Sequence, residues 1–344
     1  MHSHTIECAD AFDQVAALID AAGSIAICAH VNPDGDALGS GLALAQIIQA
    51  HWPGKEVVNL LADDDVVPRI YQFLPGADGL VRACTYEASP DLFISVDLST
   101  PTRLGDGQAV LERAAKSVIF DHHPCEHPAA DAYVVRPQAA AAGVVVTEFA
   151  HHLGLNLTRD MAQNLFCAIV TDTGRFQYQN ADAEAFEVAS FLVSKGASPS
   201  EVALHVYQSS RLAYLHLESV VMGRITTFDG GRIAYSYATI ADIKRTGVSL
   251  DECDGLVDLV RCVDGSELAL FLKEVPGGQV RGNLRSKSGR DVSGVAAALG
   301  GGGHRAAAGF TVKGDIDAAF SAVFPLLLNL MADESKADQG KVAQ

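Results

Sequence analysis

Between residues 10 and 195, short apolar runs rich in β-branched residues alternate with longer stretches whose apolar positions recur every three or four residues. The pattern predicts strands at Ser24–Ala29, Glu56–Leu61, Leu92–Asp97, Ser117–Asp121 and Tyr133–Val135. Between them it predicts helices at Ala37–Ala50, Thr102–Ala115, Ala139–His152, Arg159–Thr171 and Asp182–Lys195. Strands alternating with helices imply an α/β domain over residues 1–195, with a parallel sheet and helices on both faces. From 196 to 230 the alternation lapses into Gly196, Ser198-Pro199-Ser200 and a polar helical piece through His216, an interdomain linker that is partly helical. Residues 231–335 carry strand-like Arg232–Tyr237, Glu267–Val275 and Gln279–Leu284, with helices near Leu250–Val260, Val292–Leu299 and Asp315–Met331. Two adjacent strands around Gly277-Gly278 predict an antiparallel hairpin inside a smaller α+β domain. Residues 336–344 form a polar tail that is expected to fray.

Composition narrows the class. A chain of 344 residues suits two globular units, and 49% hydrophobic against 19% charged residues is ample for packed cores. No apolar run reaches the ~18 residues of a membrane span. The start, Met-His-Ser-His-Thr-Ile-Glu-Cys, lacks the basic-then-apolar layout of a signal peptide, so a cytoplasmic protein with no membrane partner is expected. The seven cysteines are scattered and never spaced Cys-x-x-Cys, which reads as reduced core thiols. A net charge of −17 argues against long nucleic acid as a partner, because grip on a phosphate backbone needs a basic surface. A small anion remains a suitable substrate, since bound cations invert the local charge of an acidic cleft.

The candidate chemistry lies at strand ends, where α/β sheets bind ligands. His30, Asp34 and Asp36 follow the first strand within seven positions, one imidazole and two carboxylates without a thiolate, a set suited to hard or borderline divalent ions. The same residues would equally serve an ordinary polar turn between strand and helix. Gly39-Ser40 sits where a helix would begin, so its amides could face an anion. Asp97 ends the third predicted strand, where it either caps the following loop or serves a site. Asp121-His122-His123 ends the fourth, and on a strand end one imidazole can ligate while its neighbour faces a substrate. Asp172 closes an apolar helix, a position the helix dipole disfavours for an acid unless a cation compensates. His51, His127, His151, His152, His205 and His216 lack such company and read as structural or solvated. In the second domain Gly300 through Gly303 precede His304-Arg305, a run whose backbone amides and side-chain donors suit a phosphate. Arg285, at a strand end, could add a bidentate guanidinium.

Taken in order, His-x-x-Pro-Asp-Gly-Asp (30–36), Asp97, Asp121-His122-His123, Asp172 and Gly-Gly-Gly-His (301–304) resemble the DHH phosphoesterase superfamily with its DHH-associated C-terminal domain. The resemblance spans nearly the whole chain and is strongest to the nanoRNase and 3′-phosphoadenosine-5′-phosphate phosphatase branch. It implies two divalent metal ions, with Mn²⁺ the leading candidate ahead of Mg²⁺ and Co²⁺. His30 and Asp34 would hold one ion, Asp36 and His122 the other, with Asp97 bridging both and Asp172 completing the ligands of the second ion. His123 would face the phosphate as proton donor or charge stabiliser, and Asp121 would orient the histidines. Arg285, Gly301, Gly302, Gly303, His304 and Arg305 would bind the terminal phosphate or base.

The implied activity is hydrolysis of short oligoribonucleotides and linear dinucleotides such as pGpG and pApA to mononucleotides, with 3′-phosphoadenosine-5′-phosphate dephosphorylated to AMP as a companion reaction. Cyclic di-AMP hydrolysis is the enzymatic alternative, and a nucleotide sensor without catalysis is the alternative of another class. A RecJ-type exonuclease would want a longer chain and a basic groove, and a family II pyrophosphatase would lack this Gly-Gly-Gly-His domain. The resemblance also implies a homodimer.

Overall fold

The computed structural model describes residues 8–64 and 66–341, with Asp251 and residues 333–341 as backbone alone. The amino-terminal stretch 1–7, on which the signal-peptide expectation bears, and residues 342–344 of the expected polar tail lie outside the described residues. The chain forms two compact units, Met1–Ser209 and Ser210–Gln344. The boundary therefore falls inside the segment 196–230. Among the described residues no helix is long and apolar enough to cross a membrane.

The first unit is built on a six-stranded sheet. Its strands are β1 (Ser24–Cys28), β2 (Glu56–Leu61), β3 (Val81–Arg82), β4 (Leu92–Val96), β5 (Lys116–Asp121) and β6 (Ala132–Val135). They run in the order β3-β2-β1-β4-β5-β6, and every pairing is parallel. Alternation within each strand feeds two cores. Ile25 and Ile27 of β1 and Leu92, Ile94 and Val96 of β4 join the larger apolar cluster, while Ala26, Cys28 and Phe93 point to the other face. Helices α1 (Ala9–Ala21), α2 (Gly35–His51), α4 (Ala142–His152), α5 (Arg159–Asp172) and α6 (Ala183–Ser194) supply the large core, and α3 (Gly107–Arg113) helps close the small one.

Three helices of the large core converge through small residues. A Cβ on Gly39 would stand 2.4 Å from the Asn164 carbonyl oxygen, and one on Gly143 would stand 2.7 Å from the Ala168 methyl. Glycine at both positions lets α2, α4 and α5 approach within backbone contact. Gly39→Ala is therefore expected to destabilise the chain by about 1–3 kcal/mol. Chemical denaturation would measure it, and an unchanged midpoint would show that the helices have room to part.

The second unit holds β7 (Thr226–Phe228), β8 (Ile233–Ala238), β9 (Leu268–Val275), β10 (Gln279–Ser286), β11 (Gly302–Gly303) and β12 (Ala307–Lys313). They form a sheet in the order β11-β12-β10-β9-β8-β7, antiparallel except for β8 beside β9. The β9–β10 hairpin turns at Gly277 and Gly278, both with positive φ. One face packs against the long helix Ile316–Lys341 through Val323 and Leu327, and the other against Leu256, Val257 and Val260.

Some expectations need correction. The helix expected over Thr102–Ala115 is a 3-10 turn, Pro101–Arg103, and α3, because Gly105 between them adopts φ +49°. The one expected over Leu250–Val260 is a 3-10 stretch, Asp251–Leu256, followed by a short helix, Val257–Arg261. None of the seven cysteines forms a disulfide among the described residues, yet only Cys28, Cys167 and Cys253 are buried, and Cys84 and Cys262 are exposed.

Candidate metal centre

Every candidate ligand of the first unit sits at the carboxyl edge of the sheet. His30 follows β1, Asp97 follows β4, and Asp121-His122-His123 ends β5. β1 and β4 are neighbours where the strand order reverses, the crevice in which open α/β sheets bind ligands. Two helix ends add the rest, Asp36 from the first turn of α2 and Asp172 from the last turn of α5.

Asp34 is the N-cap of α2, its Oδ1 accepting the amides of Asp36 and Ala37, both at 3.0 Å. The helix thus begins at Gly35, and Gly39-Ser40 lie one turn inside it, buried, rather than at its start facing an anion. Ser40 instead donates its hydroxyl to Asp36 Oδ1 at 2.8 Å. The Asp36 carboxylate also accepts the amides of Ala142 (2.6 Å) and Gly143 (2.9 Å), the first residues of α4. A helix amino terminus favours that negative charge. Asp97 is held in the left-handed region (φ +58°), unfavourable for most residues with a side chain, and its amide donates to the Phe120 carbonyl at 2.9 Å.

These constraints gather seven side chains. His30 Nε2 lies 3.4 Å from Asp97 Oδ2, and His122 Nε2 lies 3.4, 3.7 and 3.8 Å from oxygens of Asp97, Asp36 and Asp172. Ligand atoms converge in three overlapping groups: His30, Asp34 and Asp97; Asp36, His122 and Asp172; and Asp97, His122 and His123. Separations of this size are what donors keep when each stands about 2.0–2.2 Å from a shared ion. Both candidate imidazoles have their Nδ1 set against a carbonyl, His30 against Val31 (2.9 Å) and His122 against Ala139 (3.1 Å). With Nδ1–H donating there, Nε2 offers its lone pair to a metal. Asp97 Oδ1 is buried without a hydrogen-bond partner, as a ligand oxygen would be. Donor set, tautomers and buried oxygen all fit divalent cations.

The electrostatics say the same. Burial alone would raise Asp97, but the imidazoles of His122 and His30 beside it hold its carboxyl far below the usual carboxylate range. Burial would lower His122, yet Asp97, Asp172 and Asp36 around it push it up to about 11. Burial raises Asp172 to about 7 against the pull of His122, and burial with the neighbouring Asp97 raises Asp36 well above its ordinary value. Protons gather here because the acids outnumber the cations, and divalent ions would take their place.

The two adjacent histidines do not face opposite ways. His123 Nδ1 contacts Asp121 Oδ1 at 2.8 Å and lies 3.4 Å from Asp97 Oδ1, so both rings converge on Asp97. His123 remains 27% exposed while His122 is buried, which puts His123 at the mouth. Asp121 is fully buried beneath them, accepting the amides of His122 (2.7 Å) and His123 (3.1 Å) and the Ser99 hydroxyl. It touches the histidines and stands outside the three ligand groups.

Sequence reasoning missed the residues that brace this arrangement. Asn180 donates to Asp172 Oδ2 (3.2 Å) and to the Ala140 carbonyl (3.0 Å). Buried Arg136 pairs with Glu148 at 2.5 Å and Glu184 at 3.1 Å, and its carbonyl accepts the Ala139 amide, setting the turn whose Ala139 oxygen receives His122. An arginine directly following the apolar strand Ala132–Val135 was the available signal.

The remaining candidates lie in the second unit. Arg285 is the penultimate residue of β10, opposite Ala307, with Nε 3.7 Å from Asp258. His304 and Ala307 exchange backbone hydrogen bonds at 2.7 and 3.2 Å, closing a tight turn between β11 and β12. Arg305 in that turn is exposed and donates to the Gly289 carbonyl at 2.7 Å. The glycine run is less open than the sequence suggests. The amides of Gly300 and Gly301 bond back to Ala297 and Ala296, and Gly302 and Gly303 form the exposed edge strand. A Cβ on Gly301 would lie 2.1 Å from the Gly309 oxygen, so glycine is required there for packing.

The family model described as the DHH family, N-terminal domain, matches residues 24–169, and that of the DHHA1 domain matches 230–329. The chain is 30% identical to the bifunctional oligoribonuclease and PAP phosphatase NrnA of Thermus thermophilus over 88% of each chain. It is 28% identical to the protein of the same name from Bacillus subtilis, over 82% of this chain and 87% of that one. Its fold matches the crystal structure of an exopolyphosphatase-related protein from Bacteroides fragilis with a TM-score of 0.86 at 21% identity, covering 93% and 96% of the two chains.

Proposed function

Because this chain belongs to the DHH family, with a DHH domain followed by a DHHA1 domain, we propose that it is a metal-dependent phosphoesterase of the oligoribonuclease and PAP phosphatase kind. Its substrates are short oligoribonucleotides and linear dinucleotides, cleaved to mononucleotides, with 3′-phosphoadenosine-5′-phosphate converted to AMP. The carrying observation is the convergence of His30, Asp34, Asp36, Asp97, His122 and Asp172 into two ligand groups with Asp97 between them. His30, Asp34 and Asp97 would hold one divalent ion and Asp36, His122 and Asp172 the other, with Mn²⁺ the first choice for a mixed imidazole and carboxylate set. Such ions supply Lewis acidity and a water acidified toward neutral pH.

The protein's own part is positioning. Asp121 fixes His123 through Nδ1, leaving Nε2 as the ring nitrogen that steadies or protonates a phosphoryl oxygen at the mouth. Asn180 and the amino terminus of α4 keep Asp172 and Asp36 from turning away. Arg285, His304, Arg305 and the Gly301–Gly303 edge bind a terminal phosphate or base, and the −17 charge restricts the enzyme to short substrates.

Purified protein with Mn²⁺ would be given pGpG, pApA, a trinucleotide, cyclic di-AMP, 3′-phosphoadenosine-5′-phosphate and an oligonucleotide of ~20 residues. Mononucleotides from the short linear substrates and AMP from the bisphosphate are expected. Preference for the long oligonucleotide would overturn the substrate class, and no turnover of any substrate would leave a nucleotide sensor.

A further inference from the structure

Immediately after Asp172, α5 ends in three consecutive left-handed residues, Gly174 (φ +55°), Arg175 (φ +63°) and Phe176 (φ +59°). Glycine adopts this freely, whereas arginine and phenylalanine do so only where surrounding structure compels it. Here the Arg175 amide donates to the Val170 carbonyl at 2.8 Å, and those of Gln177 and Tyr178 converge on the Thr173 carbonyl at 3.0 Å. The turn sends neighbouring side chains opposite ways. Phe176 is half-buried against the large core and stacks on the exposed Phe186 at 4.9 Å, while Arg175 stays exposed with its guanidinium 4.8 Å over the Tyr207 ring.

That location borders the metal centre. Tyr207 rises from a π-helical turn, Ala203–Tyr207, and its hydroxyl reaches the Val170 carbonyl at 3.4 Å. Gly35, next to Asp34, approaches the same end of α5 so closely that a Cβ would lie 2.5 Å from Thr171 Oγ1. Arg175 makes no ion pair among the described residues, although Asp34 and Asp172 flank this corner. An exposed guanidinium with no acidic partner, laid on an aromatic ring beside an anion-handling site, is set for an incoming anion.

We propose that Arg175 is a substrate-binding residue that holds a phosphate other than the one being cleaved, with Tyr207 as its positioning platform. The inference rests on the phosphoesterase reading above and extends it. Bound ions would neutralise the scissile group, whereas a further phosphate of a short oligonucleotide needs its own cation, and a guanidinium fork already laid on Tyr207 binds it at little entropic cost.

Steady-state kinetics of the full chain with ApA, pApA and ApAp separate the roles, since ApA carries only the scissile phosphate. Arg175→Ala should raise KM for pApA or ApAp by about 10- to 100-fold, with kcat and the ApA constants little changed. Arg175→Lys should recover part of the loss, and added guanidinium should partly restore Arg175→Ala. Equal shifts on all three substrates, or none, would overturn the assignment. Should the unaltered protein cleave none of them, the phosphoesterase reading falls. Anisotropy of labelled pApA in EDTA then decides Arg175 alone: weaker binding by Arg175→Ala sustains it, and unchanged binding rejects it.

Discussion

Asp97→Asn should reduce kcat/KM on pApA by about three orders of magnitude or more at saturating Mn²⁺, a loss of about 4 kcal/mol in transition-state stabilisation. The substitution removes a charge and one anionic ligand while keeping size and shape. Asp97 is the residue that links the His30–Asp34 group to the His122 side, so both proposed ion positions would lose a ligand together. Asparagine is chosen over alanine because the backbone here is left-handed, at φ +58°, a conformation asparagine tolerates better than other residues with a side chain. The fold should therefore survive, and circular dichroism with thermal melting would establish that it has. A control at His51, which packs edge-on to Trp52 away from the ligand groups, should leave turnover unchanged. Near wild-type hydrolysis by Asp97→Asn would remove the two-ion assignment.

What the chain disclosed before its structure was known follows the range of the forces involved. β2 was legible to the residue because Glu56–Leu61 is an apolar run with a polar approach and a clear stop. The first helix was overlooked although Phe12, Val15 and Ile19 carry its helical spacing. β3, β7 and β11, at two or three residues, are too short to show any period, and they exist because a neighbouring strand offers hydrogen bonds. The ligands stood out because each sits in a local run of polar residues ending an apolar strand or helix. Their supports did not, since Asn180 on Asp172, Ser99 on Asp121 and Ala142 on Asp36 depend on contacts that only the fold creates. The glycine run of the second unit shows the converse. Its composition suggests an open phosphate cradle, yet two of its amides close a helix and Gly301 is fixed by backbone packing.

Metal binding should release about 1.5 protons per chain at pH 7 from His122 and Asp172 alone, and metal affinity should rise about 30-fold per pH unit near neutrality. His122 titrates near 11 in the metal-free site, so it enters neutral solution charged and must lose its proton before Nε2 can ligate. Asp172, raised to about 7, is half protonated there and contributes the remaining half. Both groups bind protons more tightly folded than unfolded, so their contribution to the metal-free fold is largest at low pH. The Asp172 part fades as pH rises from about 4 through 7, and the His122 part from about 6.5 toward 11. Asp97 acts oppositely, its depressed value favouring the fold above the usual carboxylate range. Divalent ions reverse the alkaline losses, so the stabilisation they give should grow from pH 6 to pH 8, reaching about 2.7 kcal/mol at a hundredfold excess over Kd. Calorimetric titration with Mn²⁺ in two buffers of different ionisation enthalpy counts the protons, and Asp172→Asn should lower the count by about one half. A metal affinity flat across that range, with no proton released, would mean that the cluster holds no ion through His122.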